Sequence, residues 1–194
     1  MPSLVALDSA PTMADLLWKL SNSGRVFIAS DAAQGDMVTG QTSFAATTPT
    51  FLLQVPKGKV VVPLFVNLAQ SGTVAGGAVD VLIEIDNIER YSTGGTLEKS
   101  FNPRRTNNTS KSKLYSGATA FAGYGIRVWG ATVGQDVSSA EGAVQGPYWK
   151  PEIPYFVEGP GALLVYTYAG VTGPTFLWSV GYAEFDQNEL DVVA

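Results

Sequence analysis

The 194-residue chain contains no cysteine and no histidine. Without cysteine there are no disulfides, thiolate nucleophiles or thiolate metal ligands, and redox chemistry says nothing about compartment. The missing histidine excludes more, because imidazole is the commonest general base and metal ligand near neutral pH. Ser-His-Asp triads, His-Cys pairs and the usual zinc sites go with it. Charge is scarce too: charged residues make up 15% of the chain, against roughly 25% in typical domains. Gly, Ser, Thr, Ala and Asn take their place. That texture fits a turn-rich β protein or a surface that meets many neighbours. No window reaches 18 consecutive apolar residues, so no helical membrane span is expected. The opening "MPSLVALDSAPTM" has no Lys or Arg before its short apolar run, unlike a signal peptide. Synthesis and folding in the cytoplasm, or export by a route the sequence does not display, is the expectation. The net charge of −5 argues against general affinity for nucleic acid.

What is present reads as strands. "TFLLQV" puts Phe51, Leu53 and Val55 on one side, and "KVVVPLFVNL" puts Val60, Val62, Leu64, Val66 and Leu68 on one face. Pro63 cannot donate to a ladder, so that strand lies at a sheet edge or is bulged there. "AVDVLIEID" alternates most clearly: Val79, Val81, Ile83 and Ile85 face a core, while Asp80, Glu84 and Asp86 mark a wet face. In "GPTFLWSVGYAEF" the core face is Phe176, Trp178, Val180 and Tyr182. Gly-rich turns punctuate the strands, and "VPKGKV" and "YAGVTGPTF" read as tight antiparallel hairpins. One segment reads as a helix: Met13, Leu16, Leu17 and Leu20 form a stripe, Thr12 and Asp15 a capping box, and Gly24 the stop. The stripe packs on its own sheet or docks on a neighbouring subunit.

About eight strands with two long connections and no helical layer predict an all-β, antiparallel jelly-roll sandwich; an immunoglobulin-like sandwich is the alternative. The expected organisation is an arm over 1–24, one sandwich over 25–186 and an acidic tail over 187–194.

Few residues suggest chemistry. Asp80, Glu84 and Asp86 offer oxygen ligands to calcium, but at strand spacing rather than in a ligand loop; a solvated face explains them more simply. They also lack the cleft that paired carboxylates need for glycoside hydrolysis. No metal, cofactor or catalytic residue is expected. Tyr148, Trp149, Tyr155 and Phe156 gather in "GPYWKPEIPYF". They fit a stacking platform for sugars, a plug at the sandwich end or a subunit contact. "NPRRTNNTSKSK" carries Arg104, Arg105, Lys111 and Lys113 with no aromatic among them, unlike a single-strand nucleic-acid site. It is either a flexible solvated loop or the partner of the acidic run Glu184, Asp186, Glu189 and Asp191 on another copy, joined head to tail.

The stretches "TTPTFLLQVPKGKVVVPLFVNL", "IEIDNIERYSTGGT" and "GPGALLVYTYAGVTGPTFLWSVGYAEF" resemble jelly-roll virion structural proteins of tailed phages, of the capsid-decoration or fibre-head type. The resemblance implies a non-enzymatic, self-associating protein, a trimer by preference. It implies contact with a major capsid protein or other virion component, and a place in the virion after assembly in the host cytoplasm. It carries over no functional residue. A carbohydrate- or receptor-binding sandwich using Tyr148 and Trp149 is the alternative function.

Overall fold

Period-two alternation gives each long strand one apolar face, and the strands sort into two sheets that bury those faces against each other. The computed structural model describes residues 13–31, 37–71, 78–134, 147–170 and 175–190. Helix α1 (Met13–Asn22) leads to β1 (Val26–Ser30) and β2 (Val38–Thr39). Then come β3 (Phe51–Val55), β4 (Lys59–Ser71) and β5 (Ala78–Asp86). The first long connection holds β6 (Tyr91–Thr93), β7 (Thr96–Glu98), β8 (Lys113–Ser116) and β9 (Thr119–Ala120). β10 (Ile126–Gly134), β11 (Tyr148–Trp149), β12 (Val157–Glu158), β13 (Gly161–Tyr168), β14 (Thr175–Asp186) and the single-turn α2 (Gln187–Leu190) complete the order.

One sheet runs β1-β14-β4-β11, with β12 also on β4 and β2 also on β14; the other runs β10-β5-β13-β3-β8-β7; β6 and β9 form a separate ribbon. All these pairings are antiparallel. The fold is all-β with antiparallel sheets, consistent with a β-sandwich. The core between the sheets takes Phe51, Leu53, Val79, Val81, Ile83, Leu163 and Val165 from one side, and Val66, Leu68, Phe176, Trp178, Val180 and Tyr182 from the other. Phe51 and Trp178 meet across it with ring centroids 4.7 Å apart.

Three expectations need correction. Neither turn read as a hairpin joins paired strands: β3 and β13 belong to one sheet, β4 and β14 to the other. The turns carry the chain across the sandwich instead. β4 does not keep one face along its length. Tyr182 pairs with Pro63 and Gly181 with Phe65, a bulge that absorbs the proline. The phase flips there, so Val61 joins the core before it and Val66 and Leu68 after it. The bulge also presses the Phe65 ring onto Gly181, where an added Cβ would lie 2.2 Å from a ring carbon.

The third correction concerns the second face of β5, which is partly covered: Asp80, Leu82 and Asp86 are half-buried and Glu84 is buried. Leu52, Leu164 and Tyr166 are buried there with Ala120 and Ala162, and Phe44, Leu82, Tyr91 and Tyr115 pack on them. The cover is the β6–β9 ribbon and the segment before β3. Tyr166 Oη donates to Ala46 O at 3.0 Å, and Ala120 N donates to Thr47 O at 2.8 Å. Arg90, fully buried, bolts the cover down. Its guanidinium donates to Asp86 Oδ2 at 2.7 Å, Gly123 O at 2.7 Å and Phe121 O at 3.2 Å. Its backbone N–H donates to Gln54 Oε1 on β3 at 3.1 Å.

Two tyrosines report on this packing. Burial, and next the charge of Glu84, push Tyr166 up to about 12. Burial pushes Tyr182 up to about 12; the Ser100 and Ser110 hydroxyls pull it down and Glu184 raises it. Between the unfolded value of about 10 and about 12, the unfolded chain has lost these protons and the folded chain keeps them. Stability therefore falls as pH rises through that window. Urea unfolding from pH 9 to 11.5 should show this loss, with a shallower slope in Tyr166→Phe and Tyr182→Phe; an unchanged slope in both would refute it.

Candidate functional site: an anchored basic loop and an apolar tip

The loop over 102–113 is not free in solvent. Its anchor is Asn102, fully buried, whose Nδ2 donates to Val26 O at 2.8 Å and Ser21 O at 3.3 Å. Its Oδ1 accepts the N–H groups of Arg104 and Arg105 at 3.0 and 2.9 Å, the side-chain turn that Asn forms readily. α1 supplies the other half of the anchor. Gly24, at φ +83°, closes the helix: its N–H donates to Ser21 O, and Arg25 N–H donates to Leu20 O. That leaves Asn22 O to accept from Arg104 Nη1 at 2.9 Å and Gly24 O from Asn108 Nδ2 at 3.1 Å. The far end of the loop is held by Glu184 on β14. This buried carboxylate accepts from Ser110 Oγ at 2.7 Å, Lys111 N at 3.1 Å and Ser112 N at 2.6 Å. Loop and acidic strand thus meet within one chain, through backbone amides and a hydroxyl rather than through lysine ammoniums.

The other acids have partners as well. Asp186 accepts from Lys59 Nζ at 2.6 Å, and that hydrogen bond holds its carboxyl below the usual range. Glu189 takes both guanidinium nitrogens of Arg25 and the Asp186 N–H, which lower its pKa in that order. Asp191 lies outside the described residues. Head-to-tail pairing of loop and tail would first have to break these contacts. Meanwhile Arg105, Lys111 and Lys113 are exposed, and among the described residues none forms a salt bridge.

The aromatic group is split by strand alternation. Trp149, only 4% exposed, sits in the core and stacks on Tyr155 at 6.3 Å. Tyr148 points the other way and stacks on Phe65 at 6.3 Å; Phe156 is exposed. Four residues expected to act as one surface do not share one. On α1, Leu17 and Leu20 are half-buried, while the Met13 and Leu16 side chains and Thr12 lie outside the description. The three β5 acids also go separate ways: Asp80 accepts from Thr132 Oγ1, buried Glu84 from Gly125 N, and Asp86 from Arg90. Among the described residues no three acids group as metal ligands would.

The structure adds a surface that the sequence reading missed. At the end of the sheet where β5 stops and β10 starts, Ile88, Phe121, Tyr124 and Ile126 are 57, 54, 77 and 70% exposed. Arg90 ties the backbone of the tip to the sheet by holding the carbonyls of Phe121 and Gly123. Tyr124 stacks on Phe44 at 6.5 Å. "FAGYGI" carried the signal: large apolar residues spaced by glycines in a turn that runs into the first residue of β10.

Comparison with protein-family models, curated proteins and solved structures finds no match for this chain. The functional reading therefore rests on its own geometry.

Glu184→Gln places an amide against donors and removes the charge that three of them stabilise. We expect trypsin to cut after Arg104 and Arg105 at least about ten-fold faster than in the wild type, and stability to fall by about 2 kcal/mol. Asp186→Asn, which disturbs only an exposed pair, should change neither much. Equal cleavage rates in all three proteins would show that Glu184 does not hold the loop.

Proposed function

We propose that the chain is a non-enzymatic, self-associating structural protein of a virion, a capsid decoration or cement subunit built on a jelly roll. The strand order is the observation that carries this reading. With β1, β3, β4, β5, β10, β11, β13 and β14 counted first to eighth, one sheet reads first-eighth-third-sixth and the other fifth-fourth-seventh-second. This order supports a reading as two nested Greek keys, the build of jelly rolls in viral capsid and lectin domains and cupins. The sixth position is shared by β11 and β12, which follow the same edge of β4. The β6–β9 ribbon and the β7–β8 extension are insertions between the fourth and fifth strands.

Fold alone does not give function, so the assembly role is argued from surfaces. The tip offers four large apolar side chains on a base tied to the sheet, beside β10, which pairs only with β5 among the described residues. Arg127 is the one charged residue in β10, so its open side is weakly guarded against pairing with another chain. Burying a tyrosine and an isoleucine in a contact contributes about 1.5–3 kcal/mol each. In the same reading α1 is an arm that rests on a neighbouring copy, with Trp18 67% exposed upon it. The assembly is a closed ring, three copies on the family resemblance, seated on the major capsid protein.

Light scattering on the purified protein should give several times the chain mass of 20.5 kDa. Tyr124→Ser with Ile126→Ser should raise the dissociation constant roughly ten-fold or more, with stability changed by about 0.5 kcal/mol or less because both side chains are exposed. A wild-type protein that stays monomeric at its highest soluble concentration and leaves capsids unbound would end this reading.

A further inference from the structure

The basic loop does not take part in the apolar contact just described. Arg104 donates to Asn22 O, while Arg105, Lys111 and Lys113 are exposed and form no salt bridge among the described residues. The end of the loop walls a groove of about 380 Å³, which lies between β7 with the residues after it and the loop segment leading into β8. Lys99, Lys111 and Lys113 line it together with Thr109, Ser110 and Ser112. We propose that this groove binds an acidic saccharide, with the three ammoniums meeting its carboxylate or sulfate groups and the hydroxyl side chains meeting its ring hydroxyls.

Three observations support the assignment. First, cations outnumber the carboxylates around the groove. Glu98, also on the groove, accepts from Ser116 Oγ, and Glu184 beneath it is held by Ser110, Lys111 and Ser112. Three cations stand against two carboxylates that each already accept protein hydrogen bonds, and none of the three lysines forms a salt bridge among the described residues. Second, the lining has no aromatic residue; Leu97 is its largest apolar side chain. A nucleobase has nothing to stack on, and neither has the apolar face of an uncharged sugar. Third, the wall is preformed. Asn102, Asn108 and Glu184 pin the loop at both ends, so a ligand does not have to order it. The volume lies at the small end of ligand sites, room for one or two sugar rings rather than a long strand.

Calorimetry with the full chain at low salt tests the idea, using a sulfated hexasaccharide from heparin, a hexasaccharide of galacturonic acid and a single-stranded oligothymidylate. The expected result is measurable binding of at least one hexasaccharide, weakening as salt rises. Lys111→Gln with Lys113→Gln should weaken it roughly ten-fold, while Glu98→Gln should tighten it about two-fold, by the usual size of partly exposed charge pairs. The opposite signs separate a charge effect from a folding defect. No binding of either saccharide, no change in the double variant, or an oligothymidylate that binds as tightly would each overturn the proposal. None of these substitutions touches Tyr124 or Ile126, so the oligomer mass is expected to stay the same, and the two readings fail separately.

Discussion

The pairing of β14 with β4 is the interaction on which most of the molecule depends. It runs from Thr175 opposite Ser71 to Asp186 opposite Lys59, interrupted by one bulge. Its inner face contributes Phe176, Trp178, Val180 and Tyr182 to the core, at about 1.5–3 kcal/mol per large side chain. Its other edge supplies the ladder for β1. Near its end Glu184 reaches the basic loop, and Asp186 and Glu189 close ion pairs with Lys59 and Arg25. Those exposed pairs are screened by solvent and contribute little. The ladder and the apolar seam, not the charges, set the stability.

Buried polar groups do a different task. Arg90, Asn102 and Glu184 are each sequestered and each meet several partners in fixed directions. Taking such groups out of water costs several kcal/mol per ion, and good pairing returns it with little surplus. What they contribute is a specified geometry. Arg90 sets where the ribbon cover and the tip lie over the outer sheet. Asn102 and Glu184 set where the loop lies against α1, β1 and β14.

The sequence made the strands legible because alternation is a direct image of a two-faced sheet, as Val79, Val81 and Ile83 or Phe176, Trp178 and Val180 show. It left sheet membership open, since a turn such as "PKGK" looks the same whether its strands pair or part to opposite layers. Pro63 signalled an irregularity but not the change of phase that follows it. The acids of β5 look solvated when read along one strand. Only Glu84 is buried, and the cover over that face is held by Arg90, Ala46 and Thr47, brought in from elsewhere in the chain. In the loop, attention goes to four cations, while Asn102, Asn108 and Glu184 do most of the anchoring through partners that no local pattern reveals. Tyr148 and Trp149 are neighbours in sequence and face opposite sides for the same reason that made the longer strands readable.

The place of β14 also has a meaning in time. It is the last strand of the described chain, yet it lies between β1, the first, and β4. Until it arrives, β1 has no ladder partner among the described residues beyond the bridge at Phe101, and β4 shows an open edge over most of its length. Contacts this distant in sequence close slowly, because loop entropy must be overcome before they form. A nascent chain therefore waits with a vacant slot shaped for one particular strand. Where many copies are made close together, the same slot is open to the β14 of a neighbour, which is the general route to strand exchange.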